Sequence, residues 1–385
     1  MIKWKSIEDI MDCASFALAW EAHYAKVNNL YAMYHSPEWL SCYDDDTHHR
    51  IRVAACYDSE QMADKPTYAA FRERAVSLSF GLSASKKLSL SIRALELLGS
   101  DLLGDDDVGR INEIVDNVWK EFPDVEAIYL KSVLTDSTLW RYFETHDWKL
   151  GEAPVYLPDS IRSFHYIELP KTHDEYLSGF RSKQRYTLKK KVRKLLEAFP
   201  GRVDIFELSD ANELPRLTEN ATRVINNSWK AQNLKQPLPS SIRDMNYLSN
   251  IAKKGLLKAH VLTIDGEPCA FIIGYLYKGI YHYADLAYDL RFGDYSPGIV
   301  LLYRVIESMI EQEKASFVNF GITDAQYKQV FGNRHLQDAG IMVLRPTLTN
   351  KFKIGLHRMF RDAKAHLKQR RDNAREFKRA VVLDA

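Results

Sequence analysis

Between Lys258 and Gly332 the spacing of apolar residues changes from the period of a strand to that of a helix and back. An apolar run over residues 259–264 ends at Asp265-Gly266, two residues that tolerate the positive φ of a tight hairpin turn. A second run spans 268–277, Lys278-Gly279 follows, and a third run spans 280–288. This predicts a three-strand antiparallel meander. Past Asp289 the apolar positions Val300, Leu301, Val305, Met309 and Ile310 make a helical stripe, opened by Ser296-Pro297-Gly298. Serine suits a cap and proline a first turn, so a helix start is expected at Ser296. A short strand over 317–320 and a short helix carrying Tyr327 complete the block.

The rest of the chain is arranged around this block. Residues 7–30 predict a helix, and Ser36-Pro37-Glu38-Trp39-Leu40 a capped helical turn. Strand-like runs follow at 51–56 and 69–82, whereas 88–98 fits either period. Residues 108–122 and 135–146 read as helices with a strand at 125–130 between them, and 148–157 as irregular or strand. A meander followed by a helix thus occurs in both halves, which points to an internal repeat. Turn chemistry at Leu157-Pro158-Asp159-Ser160 marks a boundary. A first lobe is expected over 1–162, a second over 163–349 and a C-terminal helix over 350–385. The second lobe opens with a strand over 163–169 and a helix from Asp174 that becomes strongly basic. A strand over 201–208 and a helix over 211–230 come next.

The order of these elements, with Tyr288-Asp289, Phe292, Ser296-Pro297-Gly298, Asn319-Phe320-Gly321, Tyr327-Lys328 and Phe331-Gly332 at the junctions, resembles the GNAT superfamily of N-acyltransferases. It is similar to the two-lobed branch that holds the acetyltransferases associated with cellulose and exopolysaccharide synthesis and the Fem-type aminoacyl transferases. Pro37, Trp39 and Leu40, the basic helix, and Asn227-Ser228-Trp229-Lys230 fit the same branch. The resemblance implies an α+β (mixed α/β) fold of tandem GNAT-like lobes, each a mostly antiparallel sheet flanked by helices, with the first lobe degenerate. It implies transfer of an acyl group, expected to be acetyl, from acyl-coenzyme A to the amine of an amino sugar or amino-acid derivative in polysaccharide biosynthesis. Two alternatives stand beside it: delivery of the acyl group by aminoacyl-tRNA, and a non-catalytic scaffold that binds a polyanion.

Within that frame residues take roles. A helix N-terminus attracts anions through unpaired N–H groups, so the coenzyme A pyrophosphate is expected at Ser296, Pro297 and Gly298. The pantetheine arm would pass Leu286 and Tyr288 toward Phe320, with Lys328 also on the cofactor side. In the first half Gly104-Asp105-Asp106-Asp107 stands at the corresponding place, and three carboxylates repel a diphosphate. The first lobe is therefore expected to complete the substrate side. By the resemblance Tyr327 is the acid that protonates the departing sulfur, a task that an ordinary tyrosine can perform at neutral pH. The Leu286 region would supply N–H donors to the oxyanion. Candidates for the base are His282, Asp285 and Asp324, but the odd separation of His282 and Asp285 predicts opposite faces of the strand. Asn319 stands where the family often has an acid. Arg181 and Arg185, spaced four apart with Lys189, are substrate candidates together with Trp229 and Lys230. The basic helix is also where an acyl carrier protein or a tRNA would dock, and loop 232–241 is placed to cover the site.

Composition narrows the field. With 385 residues two domains are expected, and a net charge of +2 gives no global reason for nucleic-acid binding. Cys13, Cys42, Cys56 and Cys269 have no metal-ligand spacing, and His48-His49 lacks complementary ligands, so no metal is expected. Gly-x-Ser-x-Gly and phosphate-loop patterns are absent. Cys269 falls in an apolar strand, where a thiol is inert packing. A charged N-terminus and the lack of a long apolar run lead to an expected cytoplasmic location without stable membrane insertion. In the tail, Phe352, Leu356, Met359, Phe360, Ala363 and Leu367 form one apolar face among lysines and arginines. That face is expected to pack on the body. A membrane-surface helix or a homodimer contact would show the same pattern.

Overall fold

A computed structural model describes the chain except for residues 12, 26–29, 44–50, 58–65, 82–86, 104–107, 146–153, 235–237, 323–324 and 384–385. Its strands are β1 (Ile2–Lys5), β2 (Ile51–Cys56), β3 (Thr67–Gly81), β4 (Lys87–Leu97), β5 (Ala127–Leu134), β6 (Val155–Tyr156) and β7 (Arg162–Glu168). The second half adds β8 (Val203–Leu208), β9 (Ala259–Ile264), β10 (Glu267–Tyr277), β11 (Ile280–Tyr288), β12 (Phe317–Asn319) and β13 (Arg334–Leu344). All lie in one sheet, ordered β1-β2-β3-β4-β5-β13-β7-β12-β11-β10-β9-β8, with β6 also against β13.

Both halves follow one plan. In the first, β2, β3 and β4 form an antiparallel meander, the Val108–Glu121 helix crosses over, and β5 returns parallel to β4. In the second, β9, β10 and β11 repeat the meander, the Pro297–Glu311 helix crosses over, and β12 returns parallel to β11. Positive φ at Asp265 (53°) and Gly266 (76°), and at Lys278 (41°) and Gly279 (79°), builds the two hairpin turns of that meander. β13 joins the halves, pairing with β5 along Ala127 to Leu134 and with β7 along Arg162 to Tyr166. The fold is the mixed α/β arrangement of tandem meanders that the sequence implied.

Each face of the second meander carries its own core. One holds Val261, Phe271, Ile273, Tyr275 and Tyr277 against the Leu214–Asn226 and Met245–Lys253 helices and against Phe16, Trp20 and Trp39 from the N-terminal segment. The other holds Leu262, Ile272 and Tyr281 against the Ser182–Ala198 and Pro297–Glu311 helices. The N-terminal helices thus pack on the second lobe's sheet, not on their own alone.

Several elements depart from the sequence reading. The expected helix from Asp174 is broken into His173–Ser178 and Ser182–Ala198, and the expected helix over 211–230 splits at Ser228, whose hydroxyl caps Trp229–Asn233. Ser296 does not cap its helix. It adopts the left-handed region (φ 53°, ψ 49°), and its hydroxyl accepts from Lys191 Nζ at 3.1 Å. The reason is the 3₁₀ turn Leu290–Tyr295, which runs straight into the helix and leaves the reversal to one residue.

The C-terminal helix, Leu348–Leu383, is turned around relative to expectation. Ile354 and His357 are buried, while Phe352 is 70% and Met359 71% exposed. The body offers polar acceptors there. Glu126 accepts from Lys353 at 2.5 Å, Ser79 O lies 3.3 Å from the His357 ring, and Leu157 O accepts from Arg361. An apolar face laid on those groups would leave them unsatisfied, which costs more than the apolar burial would return. No helix among the described residues is long and apolar enough to cross a membrane.

Candidate active site

β11 and β12 pair only over Ile280 to His282, opposite Phe317 to Asn319. β11 then continues to Tyr288 while β12 stops, so the strands part at Tyr283. The N–H of Asp289 donates to Cys269 O on the β10 side at 2.8 Å. By strand alternation the N–H groups of Leu286 and Tyr288 point the other way, into the gap. Two backbone donors are therefore aimed where a carbonyl oxygen or an amide of an extended chain would lie.

A bulge alters what faces that gap. The β10–β11 register shifts between Ile273 and Gly274, pairing Ile273 with Asp285 and Gly274 with Tyr283, so Ala284 is an extra residue. Counting residues predicted opposite faces for His282 and Asp285. The inserted residue resets the alternation, and both share the face of Ile273 and Tyr275. His282 is nonetheless sealed in: its ring meets Tyr34 edge-on at 5.7 Å and its Nδ1 lies 3.4 Å from Asn319. Burial pushes its pKa down to about 3, which makes it a neutral packing group rather than an exposed base. Asn319 is fully used, donating to Leu30 O and accepting from the Gly321 N–H, both at 2.7 Å. Asp285 lines a cavity and is ion-paired with Lys230.

Tyr283 and Tyr327 bridge the two sides of the parted strands, their hydroxyls 2.8 Å apart. Burial raises the Tyr327 pKa above the usual phenol value, and Tyr283 is raised further. Both are protonated at neutral pH. Lys328 is buried, donates to Phe320 O at 2.5 Å and sits 5.6 Å over the Tyr283 ring, so it lines the cavity beside Asp285 and not the helix start. Asp324 lies outside the described residues.

The start of the Pro297–Glu311 helix differs from an amide cradle. Pro297 has no N–H, Ser296 N–H is donated to Gly293 O and Ile299 N–H to Ser296 O, each at 3.0 Å. Gly298 is closely packed: a Cβ there would stand 3.0 Å from Leu286 Cδ2 and 3.3 Å from Tyr288 Cδ1, so those side chains would have to shift. Positive charge comes instead from the basic helix, where Lys191 reaches Ser296 and Lys194 donates to Asp294 O at 2.8 Å. Arg181 and Arg185 lie elsewhere. Arg185 donates to Leu177 O and, with Lys189, Lys190 and Arg193, lines a surface groove of about 500 Å³. Trp229 is 58% exposed and does not line the cavity.

Asn227 and Asp289 explain why these segments meet. Asn227 donates to Asp289 Oδ2 at 3.0 Å and accepts the Leu290 N–H, also at 3.0 Å. The start of the Trp229–Asn233 helix is thereby held along β11, which brings Lys230 to Asp285.

The cavity bounded by Asp285 has a volume of about 890 Å³ and runs from the parted strands to the first lobe. Tyr34, Tyr43, Tyr247 and Tyr275 give it an aromatic wall, and Arg72, Lys131 and Arg243 give it cations. Arg72 is held by Glu96 at 2.5 Å, which Arg74 also contacts at 3.1 Å. One carboxylate therefore serves two guanidinium groups. Lys131 opens to solvent along the cavity, and desolvation by the surrounding wall, with Arg74 and Arg72, pushes it below the usual lysine range against the pull of Glu96. The sequence reading missed these residues because they lie on β3, β5 and the short Ser240–Arg243 helix, distant from one another in the chain. The expectation that the first lobe completes the substrate side, and that loop 232–241 covers it, was the available signal. Among the described residues no group of side chains could hold a metal ion. Cys269 is buried with its thiol pushed up to about 12.

Residues 182–329 match the family described as the acetyltransferase (GNAT) domain. The match covers less than half of the chain, which over these residues is similar to that family, and the protein is an acyltransferase. None of the curated proteins matches the sequence. Among solved structures, FemX is similar at 13% identity with a TM-score of 0.51, over 77% of this chain and 89% of its own. L-PGS from Bacillus licheniformis is similar at 11% identity with a TM-score of 0.51, over 91% and 97%. A conserved protein of unknown function from Bacteroides thetaiotaomicron VPI-5482 is similar at 12% identity with a TM-score of 0.53, over 89% and 100%. At these identities the likeness is one of fold.

Proposed function

We propose that the protein transfers an acyl group, expected to be acetyl, from acyl-coenzyme A to the amine of a small acceptor that also carries an anionic group, such as an amino-sugar phosphate or an amino acid. The observation that carries this is the free edge of β11 from Tyr283 to Tyr288, open to cations at Ser296 on one side and to the cavity on the other. Two lobes, 1–162 and 163–349, would hold the acceptor between them, and the helix over 350–385 would stand apart from the chemistry. The expected setting is polysaccharide assembly, which follows the resemblance, in the cytoplasm, which follows the charged N-terminus and the lack of a long apolar run.

In this reading the thioester carbonyl lies against the Leu286 N–H, and the pyrophosphate lies near Lys191 and Lys194. Asp285 takes the proton of the attacking ammonium, the amine adds to the carbonyl, and negative charge builds on the oxygen beside the backbone donor. The carbon–sulfur bond then breaks, Tyr327 gives its proton to the thiolate, the nitrogen loses its second proton to solvent to leave the neutral amide, and Tyr327 regains a proton from solvent through Tyr283. Arg72, Lys131 and Arg243, which line the same cavity as Asp285, hold the acceptor's anion while its amine meets Asp285.

A specific observation favours a second reading. The Ser182–Ala198 helix leaves Arg185, Lys189, Lys190 and Arg193 on one accessible groove, which suits an acyl donor carried on tRNA or a carrier protein. The test measures thiol release from acetyl-coenzyme A with paired acceptors, glucosamine against glucosamine 1-phosphate and an amine against its amino acid. Release favouring the anionic member supports the proposal. Absence of release and of thermal stabilisation by coenzyme A, with retention of tRNA at moderate salt, supports the second reading.

A further inference from the structure

The C-terminal helix carries an apolar stripe that nothing among the described residues covers. Leu348 is 85%, Phe352 70%, Leu356 40%, Met359 71% and Leu367 61% exposed. Phe352, Leu356, Met359, Ala363 and Leu367 recur at steps of four, three, four and four, so they form one line along the helix. That line faces away from the body. Ile354, His357 and Arg361 form the opposite side, and three contacts fix the rotation of the helix about its axis: Lys353 on Glu126, the Tyr156 hydroxyl 2.5 Å from His357 Nδ1, and Arg361 on Leu157 O. Phe360 packs on Phe80 with ring centres 5.3 Å apart, which closes one flank.

Lys351 and Lys364 flank the stripe, exposed and without an ion pair among the described residues, while Arg358 lies over the Tyr156 ring on the body side. Asp362 is the single acidic residue among positions 348–370. Two copies of this helix laid stripe to stripe would set these cations against one another, so the charge pattern opposes self-association and favours an anionic surface. A helix with a continuous apolar line between lysines and arginines lies in the plane of an anionic bilayer, its apolar residues below the headgroups and its cations among the phosphates.

We propose that residues 348–367 form a peripheral docking face for an anionic lipid membrane. The helix lies on the bilayer and does not cross it. The acyltransferase body is held at a fixed orientation to that surface, because the anchoring contacts lock the helix rotation.

The test uses the full-length protein in cosedimentation with vesicles of phosphatidylcholine alone and of phosphatidylcholine with phosphatidylglycerol. Binding at least tenfold tighter to the anionic vesicles is expected. Phe352→Ser with Met359→Ser, both on exposed positions, should abolish it without changing the melting temperature. Lys351→Glu with Lys364→Glu should weaken it at least tenfold and remove its salt dependence. Equal binding to both vesicle types, or none, overturns the proposal. So does sedimentation as a dimer that Phe352→Ser with Met359→Ser converts to a monomer.

Discussion

Removing the Tyr327 hydroxyl separates the catalytic reading from a structural one. Tyr327→Phe keeps the ring in place and deletes one hydrogen bond, the 2.8 Å contact with Tyr283. A single such bond contributes about 1 kcal/mol to stability, so the melting temperature should fall by only a few degrees. A proton donor in the transition state is worth roughly 10² to 10⁴ in rate, or about 3–5 kcal/mol. The two magnitudes differ enough to be told apart. With acetyl-coenzyme A saturating and thiol release followed optically, kcat should drop at least a hundredfold while coenzyme A affinity stays within about threefold. Burial raises the phenol, so wild-type activity should hold into alkaline pH beyond the point at which an ordinary tyrosine ionises. Tyr283→Phe should cost less, since it interrupts resupply of the proton and not its delivery. An unchanged kcat in Tyr327→Phe refutes the assignment, as does an equal loss in both variants.

Other expectations follow from the same geometry. Gly298→Ala places a methyl 3.0 Å from Leu286 Cδ2, and an overpacking cost of about 1–3 kcal/mol is partly offset by about 1 kcal/mol of helix propensity. Stability should change little, while coenzyme A affinity falls as Leu286 and Tyr288 are displaced; unaltered affinity by calorimetry would contradict this. Lys131→Met should raise KM for an anionic acceptor at least tenfold at constant kcat and leave neutral amines unaffected. His282 and His260 titrate near 3 and 4 in the fold against an ordinary 6.5, so they are neutral when folded and take up protons on unfolding below pH 6.5. Their stabilisation is complete above pH 6.5 and is lost as the pH falls from there toward 4, by about 2 kcal/mol for each at pH 5. Melts of wild type and His282→Gln between pH 7 and 5 check the sign, and the variant should show the shallower slope.

What could be seen from sequence alone followed how local each determinant is. The meander over β9, β10 and β11 was visible because Asp265-Gly266 and Lys278-Gly279 fix its turns and the apolar runs fix its strands. The bulge at Ala284 was not, since nothing in Tyr283-Ala284-Asp285 distinguishes an inserted residue from an ordinary strand, and it decides which way Asp285 faces. Ser296 looked like a cap because caps are defined by neighbours in sequence, whereas its backbone is set by the preceding 3₁₀ turn and its hydroxyl by Lys191, 105 residues away. The apolar face of the C-terminal helix was read correctly as a face and assigned to the wrong side, because the polar acceptors at Ser79, Glu126 and Leu157 are remote in the chain. Arg72 and Lys131 join the cavity for a similar reason: the pairing of β13 with both β5 and β7 brings the first lobe to the second.

The central claim is that the free edge of β11 receives the extended arm of coenzyme A. Hydrogen exchange followed by mass spectrometry, with and without coenzyme A, tests it most directly. The account predicts slowed exchange in peptides covering residues 283–300 and little change in those covering 168–184. Unchanged exchange over 283–300, with protection confined to the second cavity lined by Tyr176, Phe331 and Arg334, would contradict it.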